Sequence, residues 1–406
     1  MRRAEVVIVG GGVVGASVAY HLAARGCRDV LVLERGAGPG EGSTGRATGG
    51  FRAQFGTRVQ IRLSLLSREK LLRFREETGV DPGFRQCGYL FVARSEEELD
   101  ALRAAQAVQH ECGLAEAHRV SVEDVGRLNP AIELGGVRGG VFCPSDGFIR
   151  PLEILRGYRE AAARLGVRFE YGVTLEGVRA EACGGAWTLL TTGGEVSAGS
   201  LVNAAGAWAA SVGRMAGADV PVRPLRRQVA ITRPFDQLPE EMPMTIFVGD
   251  GFHLRVREGR VLLLWPDEPP ADADPFDTTV SEDWLREVAR KAHASVPCLR
   301  RAAIDRANCW AGLYEMSPDR HALLGRVSLP GRVPLPVRVP PPGRAQGFDN
   351  LYLANGSSGH GVMHSPALGQ LLSEIILDGA ATTLDTHLLR PTRFAEGEPN
   401  AGPDFL

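Results

Sequence analysis

Lysine is nearly missing from this chain. Of 46 basic residues only Lys70 and Lys291 are lysine, which removes that side chain from almost every position where catalysis would use one. A general bias towards arginine accounts for the shortage. Paired cysteines are missing too. The seven cysteines, at 27, 87, 112, 143, 183, 298 and 309, are dispersed and contain no C-x-x-C. Such a set excludes a cysteine-held metal or iron–sulfur cluster and suits a reducing compartment, so a cytoplasmic location is expected. Excess charge is lacking as well: the net charge is −2, which offers no bulk electrostatic hold on nucleic acid. After the first two dozen residues no apolar run approaches the roughly 20 residues that span a bilayer. At 406 residues the chain can bury a large core and divide into two domains. No internal repeat is present.

What is present is concentrated at the N-terminus. Val6-Val7-Ile8-Val9 reads as a buried parallel strand and runs into Gly10-Gly11-Gly12-Val13-Val14-Gly15. Residues 13–25 have helical composition and end at Gly26; a second strand, Val30–Leu33, ends at Glu34. In this G-x-G-x-x-G, Gly10 makes the tight turn and Gly12 admits a pyrophosphate. Gly15 lets the helix pack on the strand, and the helix N-terminus faces the phosphates. Glu34 stands where an acid accepts a hydrogen bond from a ribose hydroxyl, which favours FAD or NAD over NADP. Met1-Arg2-Arg3 followed by apolar residues also resembles a signal peptide or a membrane span. Its glycines fall at dinucleotide spacing, and cleavage there would remove the phosphate loop.

Along the chain, residues 59–77, Glu96–His110, 151–165, Ser281–Ser295 and Ser365–Asp378 read as helices, with Pro366 in the first turn of the last. Strands are expected at Gly88–Ala93, Val167–Glu170, Ser200–Asn203, 321–325 and Leu351–Ala354. Residues 225–265 alternate as antiparallel sheet. The expected fold is α/β: a discontinuous Rossmann-like FAD-binding domain (1–84, 145–222 and 318–390) and a second, α+β substrate domain on a largely antiparallel sheet (85–144 and 223–317). Residues 328–347 hold six prolines and read as a stiff surface loop.

Three further segments carry chemistry. Ser43-Thr44-Gly45-Arg46-Ala47-Thr48-Gly49-Gly50-Phe51-Arg52 places hydroxyls, glycines and arginines where a loop can lie along the cofactor. Leu201–Trp208 ends a strand in small residues, as a close backbone approach to a ligand requires. Ala354–Pro366 is a strand, a glycine turn and a helix start, which aims amide dipoles at an anion such as the negative charge near N1/C2=O of a reduced flavin. The expected cofactor contacts are Gly10, Gly12, Val13, Val14, Gly15, Glu34, Arg35, Ser43, Thr44, Arg46, Thr48, Gly49, Gly50, Val173, Ala205, Gly206, Gly356, Ser357, Ser358, Gly359, His360, Gly361 and Val362.

With these motifs the chain resembles the FAD-dependent amine and amino-acid oxidoreductases of the D-amino-acid-oxidase superfamily, especially sarcosine oxidase β subunits, glycine oxidase and dye-linked proline dehydrogenases. WAGLYEMSPDRHALLG at 310–325 and LYLANGSSGHG at 351–361 extend the likeness over most of the chain. The resemblance implies FAD between two domains, Arg52 near the flavin ring, Tyr314 over the substrate and 356–362 holding the isoalloxazine. Departures are informative. Gly312 stands where monomeric sarcosine oxidases link FAD through cysteine, and Cys309 is out of register. Met363 replaces their carboxylate-binding lysine. Val261–Leu264 contains no oxygen-activating lysine, and Ser357 replaces a phenylalanine.

The reading this supports is hydride transfer from a carbon α to nitrogen of an amine or amino acid to noncovalent FAD, giving an imine. Orientation matters more than acid–base groups in such a site. Candidate substrate contacts are Arg52, His253, Arg255, Tyr314, His360 and His364; the electron acceptor is oxygen, a quinone or a partner subunit. The missing lysines point to slow reoxidation by air. Two alternatives stay open: a flavoprotein accessory factor or electron-transfer subunit of a hetero-oligomer, and an NAD-dependent dehydrogenase.

Overall fold

The computed structural model describes residues 2–180, 185–268, 270, 272–328, 333–334 and 348–400. The expected proline-rich loop at 328–347 lies almost wholly outside the described residues. Two large sheets organise the rest. In the first, Leu351–Asn355, Val196–Asn203, Arg2–Val9, Val30–Glu34 and Arg168–Tyr171 lie side by side in parallel. Leu323–Arg326 adds an antiparallel edge, and the Leu175–Ala180/Trp187–Thr191 hairpin pairs with Val196–Asn203. The central strands carry the β-branched run Val6–Val9 and the valines Val30 and Val32 and are buried on both faces there, as parallel strands under helices must be, while the edge strand Arg168–Tyr171 is only partly buried.

Helix Val13–Ala24 packs between helices Pro151–Arg164 and Gly361–Asp378 and is buried on nearly every side. Its sequence is accordingly apolar all round rather than striped. Ser17 Oγ donates to the Ser365 carbonyl at 2.8 Å or less across this helix pair, fixing their register. The last helix begins at Gly361 rather than Ser365, so Pro366 sits inside it and not in its first turn. Pro366 has no N–H for the Val362 carbonyl, four residues back. Ser365 Oγ donates to that carbonyl instead, at 2.8 Å. This substitute partner lets the helix run through a residue that usually marks its start.

The second sheet has the order Trp310–Met316, Arg223–Ile231, Arg260–Leu264, His253–Arg257, Met244–Phe247, Tyr89–Ala93, Gly139–Cys143, His118–Val120. Neighbours are antiparallel except Met244–Phe247 and Tyr89–Ala93, which are parallel. Helix Glu282–Ser295 starts at the expected N-cap, Ser281, and packs Trp284, Leu285, Val288 and Ala292 onto Leu254, Val256 and Leu263. By period two, His253 and Arg255 then belong to the opposite face of their strand. The strands of the first sheet all fall within 1–84, 145–222 and 318–390, and those of the second within 85–144 and 223–317. Among the described residues no helix is long and apolar enough to cross a membrane.

The far end of the last helix carries a testable charge. The Glu374 carboxylate accepts from the Thr382 amide at 2.7 Å, the Thr383 amide at 3.0 Å and Gln370 Nε2 at 3.0 Å. Burial opposes the charge, but these donors prevail and draw the carboxyl down from 4.5 to about 2. A carboxyl depressed in the folded state contributes stability that is full above pH 4.5 and lost as pH falls towards 2. Glu374→Gln should therefore flatten the acid limb of stability over that window in urea titrations. An unchanged acid limb would remove Glu374 from the account.

Candidate active site

A single cavity of about 1540 Å³ runs between the two sheets. One end is built by the strand–turn–helix at 9–15. Gly10 has φ 111°, and a Cβ there would come within 2.2 Å of the Ala204 carbonyl oxygen, so only glycine fits. Gly12 differs: its nearest protein neighbour would be Thr44 Oγ1 at 3.3 Å, and its α-carbon faces open cavity. Gly12 is the N-cap and supplies no side chain to the helix amides. Thr44 Oγ1 accepts from Val13 N at 3.1 Å, and Glu34 accepts from Gly11 N at 2.8 Å and Gly36 N at 2.7 Å. The remaining first-turn amides are left to an anion in the cavity, which is what the diphosphate of FAD presents.

The loop at 43–52 runs along the cavity and is pinned to the edge strand Trp310–Met316. Ser43 Oγ donates to Leu313 O, Arg46 Nη1 to Ala311 O, and Trp310 Nε1 to Arg46 O, all within 2.8 Å. Arg255 holds the loop from behind. Its guanidinium donates to Thr48 O at 2.9 Å and stacks 3.5 Å over the Phe148 ring. It is 3% exposed and does not line the cavity, which corrects its expected place as a substrate contact. An arginine on the inward face of a strand was legible; that its charge would be spent on backbone carbonyls was not.

The other end holds the polar groups. Arg52 donates to Gln54 O at 2.6 Å and lies 3.2 Å from His360 Nε2. Arginine only donates, so this contact uses the Nε2 lone pair and leaves the proton of a neutral His360 on Nδ1. Burial pulls Arg52 down to about 10, so it stays a cation at neutral pH. Behind it Asp146 accepts from Ala53 N and Gln54 Nε2, and burial lifts its carboxyl to about 6. His253 directs Nδ1 at Gly251 O, 2.8 Å away, and burial lowers it to about 4, so it is neutral with a lone pair on Nε2. Tyr314 presents its ring to the cavity, and burial of the hydroxyl raises its pKa, keeping it a neutral donor. His364 is a further correction. It is 3% exposed, bonded to Ser64 Oγ at 2.9 Å, lowered to about 3 by burial, and off the cavity wall.

Strand Trp310–Met316 and the turn at 356–361 are knitted together. Glu315 accepts from Ser357 N through Oε1 and from Ser358 N through its carbonyl. Burial lifts the Glu315 carboxyl to about 7. Of the expected cofactor contacts, Gly15, Gly356 and Ser357 lie behind the wall; the others, with Arg52, His253, Tyr314 and His360, line one continuous space. Sequence reasoning missed several charged residues on that wall, Arg227 and Glu315 among them. Arg227 had a readable signal: it shares an otherwise apolar period-two face with Leu225 and Val229.

Comparison with known proteins agrees with this geometry. Residues 5–375 match the family described as FAD dependent oxidoreductase (DAO). The chain is 30% identical to mitochondrial dimethylglycine dehydrogenase of Rattus norvegicus over 97% of its own length, but spans only 45% of that protein. It is 30% identical to FAD-dependent oxidoreductase domain-containing protein 1 of Xenopus laevis, covering 98% of this chain and 84% of that one. The crystal structure of L-proline dehydrogenase from P. horikoshii superposes with a TM-score of 0.86 at 28% identity, over 98% of this chain and all of that one.

Gly12→Val is the direct test of the phosphate end. A valine meets little protein there, so the variant should fold with an unchanged circular dichroism spectrum yet purify without flavin. Full flavin occupancy in a folded variant would show that the pyrophosphate lies elsewhere.

Proposed function

Because the chain belongs to the FAD-dependent oxidoreductase family, we propose that it oxidises the C–N bond of an amine or amino acid, N-methylated, cyclic secondary or D-configured, to an imine that water hydrolyses. One observation carries the reading. The cavity that begins at the helix N-terminus continues without a wall into a pocket formed by Arg52, His253, Tyr314 and His360. A flavoprotein that only stored FAD has no need of such a pocket. Bound FAD supplies the hydride acceptor; the residues do the rest. His253 Nε2 is a neutral acceptor that can take a hydrogen bond from the N–H of a substrate bound as the neutral amine, whose lone pair hydride loss requires. Arg52 and Tyr314 are donors that orient the substrate, and the cavity holds it against the reactive ring.

FAD is held without a covalent bond in this reading. Gly312 lines the cavity where a cysteine would be needed, and Cys309 is off the wall with its Sγ towards Asp305 O at 3.4 Å. Acid precipitation should release all flavin into the supernatant; yellow colour in the pellet would overturn this, with Cys309 tested next.

The electron acceptor we favour is a dye, a quinone or a partner subunit rather than oxygen. A charge 4 Å from nascent superoxide is worth at most about 4 kcal/mol at an effective dielectric of 20. No lysine lines the cavity, His253 on its wall is neutral, and a guanidinium spreads its charge where an ammonium concentrates it. Anaerobic mixing with N-methylglycine, proline and D-alanine, followed by admission of air, tests both statements. At least one compound should bleach the flavin, and the colour should return slowly in air and quickly with a dye. A flavin that no amine bleaches would favour an accessory role, and rapid saturating reoxidation by air would make the enzyme an oxidase.

A further inference from the structure

Arg227 is the cavity's least explained charge. It lies on strand Arg223–Ile231 beside the edge strand, with Leu225 opposite Tyr314 in the register and Arg227 opposite Gly312. Its recorded donors go only to backbone, to Asp267 O at 2.6 Å and Arg226 O at 3.3 Å. Among the described residues no carboxylate lies within ion-pair distance of it. Asp267 is the nearest acid in electrostatic effect, but its Oδ2 is turned to Gln228 Nε2 at 3.0 Å. Glu268 also lines the cavity and is exposed. The Arg227 guanidinium is 6.0 Å from the centroid of the Tyr314 ring. It acts electrostatically on both Tyr314 and His253, as Arg52 does. Two cations therefore face a neutral imidazole and a neutral phenol.

We propose that Arg227 is the anchor for the substrate's carboxylate, so that the pocket selects amino acids over amines that lack a carboxyl group. This rests on the amine-oxidising function proposed above. The physical grounds are three. A half-buried guanidinium that donates only to backbone, with Asp267 near but outside ion-pair distance, gains a charge-assisted hydrogen bond when an anion arrives, and those are the strong ones. Arg52 is already engaged with Gln54 O and His360 and is buried to 5% exposure, whereas Arg227 is only partly buried and reaches the cavity. The fork geometry of arginine also fixes the orientation of a carboxylate, and with it the α-carbon, which a point charge does not. The same pair of cations repels polyamines, which narrows the substrate class.

The test uses the FAD-loaded wild type and two variants, Arg227→Gln and Arg227→Lys. Apparent Kd values come from anaerobic flavin bleaching by two matched pairs, proline with pyrrolidine and N-methylglycine with dimethylamine. Wild type should prefer the carboxylate of each pair. In Arg227→Gln that preference should collapse by about tenfold or more, the loss expected for one charge-assisted contact, and Arg227→Lys should restore part of it. A merely structural role for Arg227 in holding the Asp267 backbone would weaken both members of a pair equally, and that result overturns the proposal. So does a wild type that binds the carboxyl-free amines as well as the amino acids. Propionate binding, read as a perturbation of the flavin absorption band, needs no turnover and separates the two readings. Arg227-dependent propionate binding without bleaching by any amine would retire the proposed reaction and keep the anchor. Bleaching by amino acids with propionate binding unchanged in Arg227→Gln would keep the reaction and retire the anchor.

Discussion

A buried helix start without a cap is the constraint on which this molecule turns. The amides that open helix Val13–Ala24 lie at the end of a cavity deep between two sheets. Buried N–H groups need partners, and an unmet one costs on the order of 1–3 kcal/mol. The protein supplies only Thr44 Oγ1 to Val13 and Glu34 to Gly11. It cannot supply a side chain from Gly12, because the space before that residue must stay open. A dianionic diphosphate at this point would supply the acceptors that the N-cap does not, so cofactor binding would add to local stability.

The opposite end depends on the edge strand Trp310–Met316. An unpaired strand edge presents amides and carbonyls that seek partners. Here its carbonyls at 311 and 313 take Arg46 and Ser43, and its far end takes the turn at 356–361 through Glu315 and Ser358. Three segments distant in sequence are thereby assembled around Tyr314. This explains why glycine-rich, side-chain-poor stretches could be recognised as site-forming at all: each needs its backbone, not its side chains, to meet another segment.

That difference sets how much was legible. Gly10, Gly12, Glu34 and the order of the elements could be read because backbone demands leave a fixed residue signature at fixed spacing. The two-sheet architecture followed from the change of hydrophobic period at 225–265. Side-chain destinations could not be read in the same way. Arg255 and His364 were expected as substrate contacts, but packing turns one onto the Thr48 and Gly49 carbonyls and the other onto Ser64. Arg227 was passed over although it shares a period-two face with Leu225 and Val229; its neighbour Arg226 is tied to Asp277 at 2.8 Å. Pro366 misplaced the start of the last helix because its effect depends on whether Ser365 offers the missing donor.

The charges around the site also show what the arrangement resists. Burial raises Asp146 to about 6 and Glu315 to about 7, and lowers Arg52 to about 10. Each shift means that the charged form is disfavoured in place, so these groups oppose the fold where they stand. For the two acids the folded state prefers the proton, so their contribution to stability falls as pH rises from the ordinary carboxyl range through 6 to 7. Near neutrality Glu315 is poised between charge states while Arg52 stays charged. The scarcity of lysine, which first set this sequence apart, leaves the basic groups on this cavity wall to arginine.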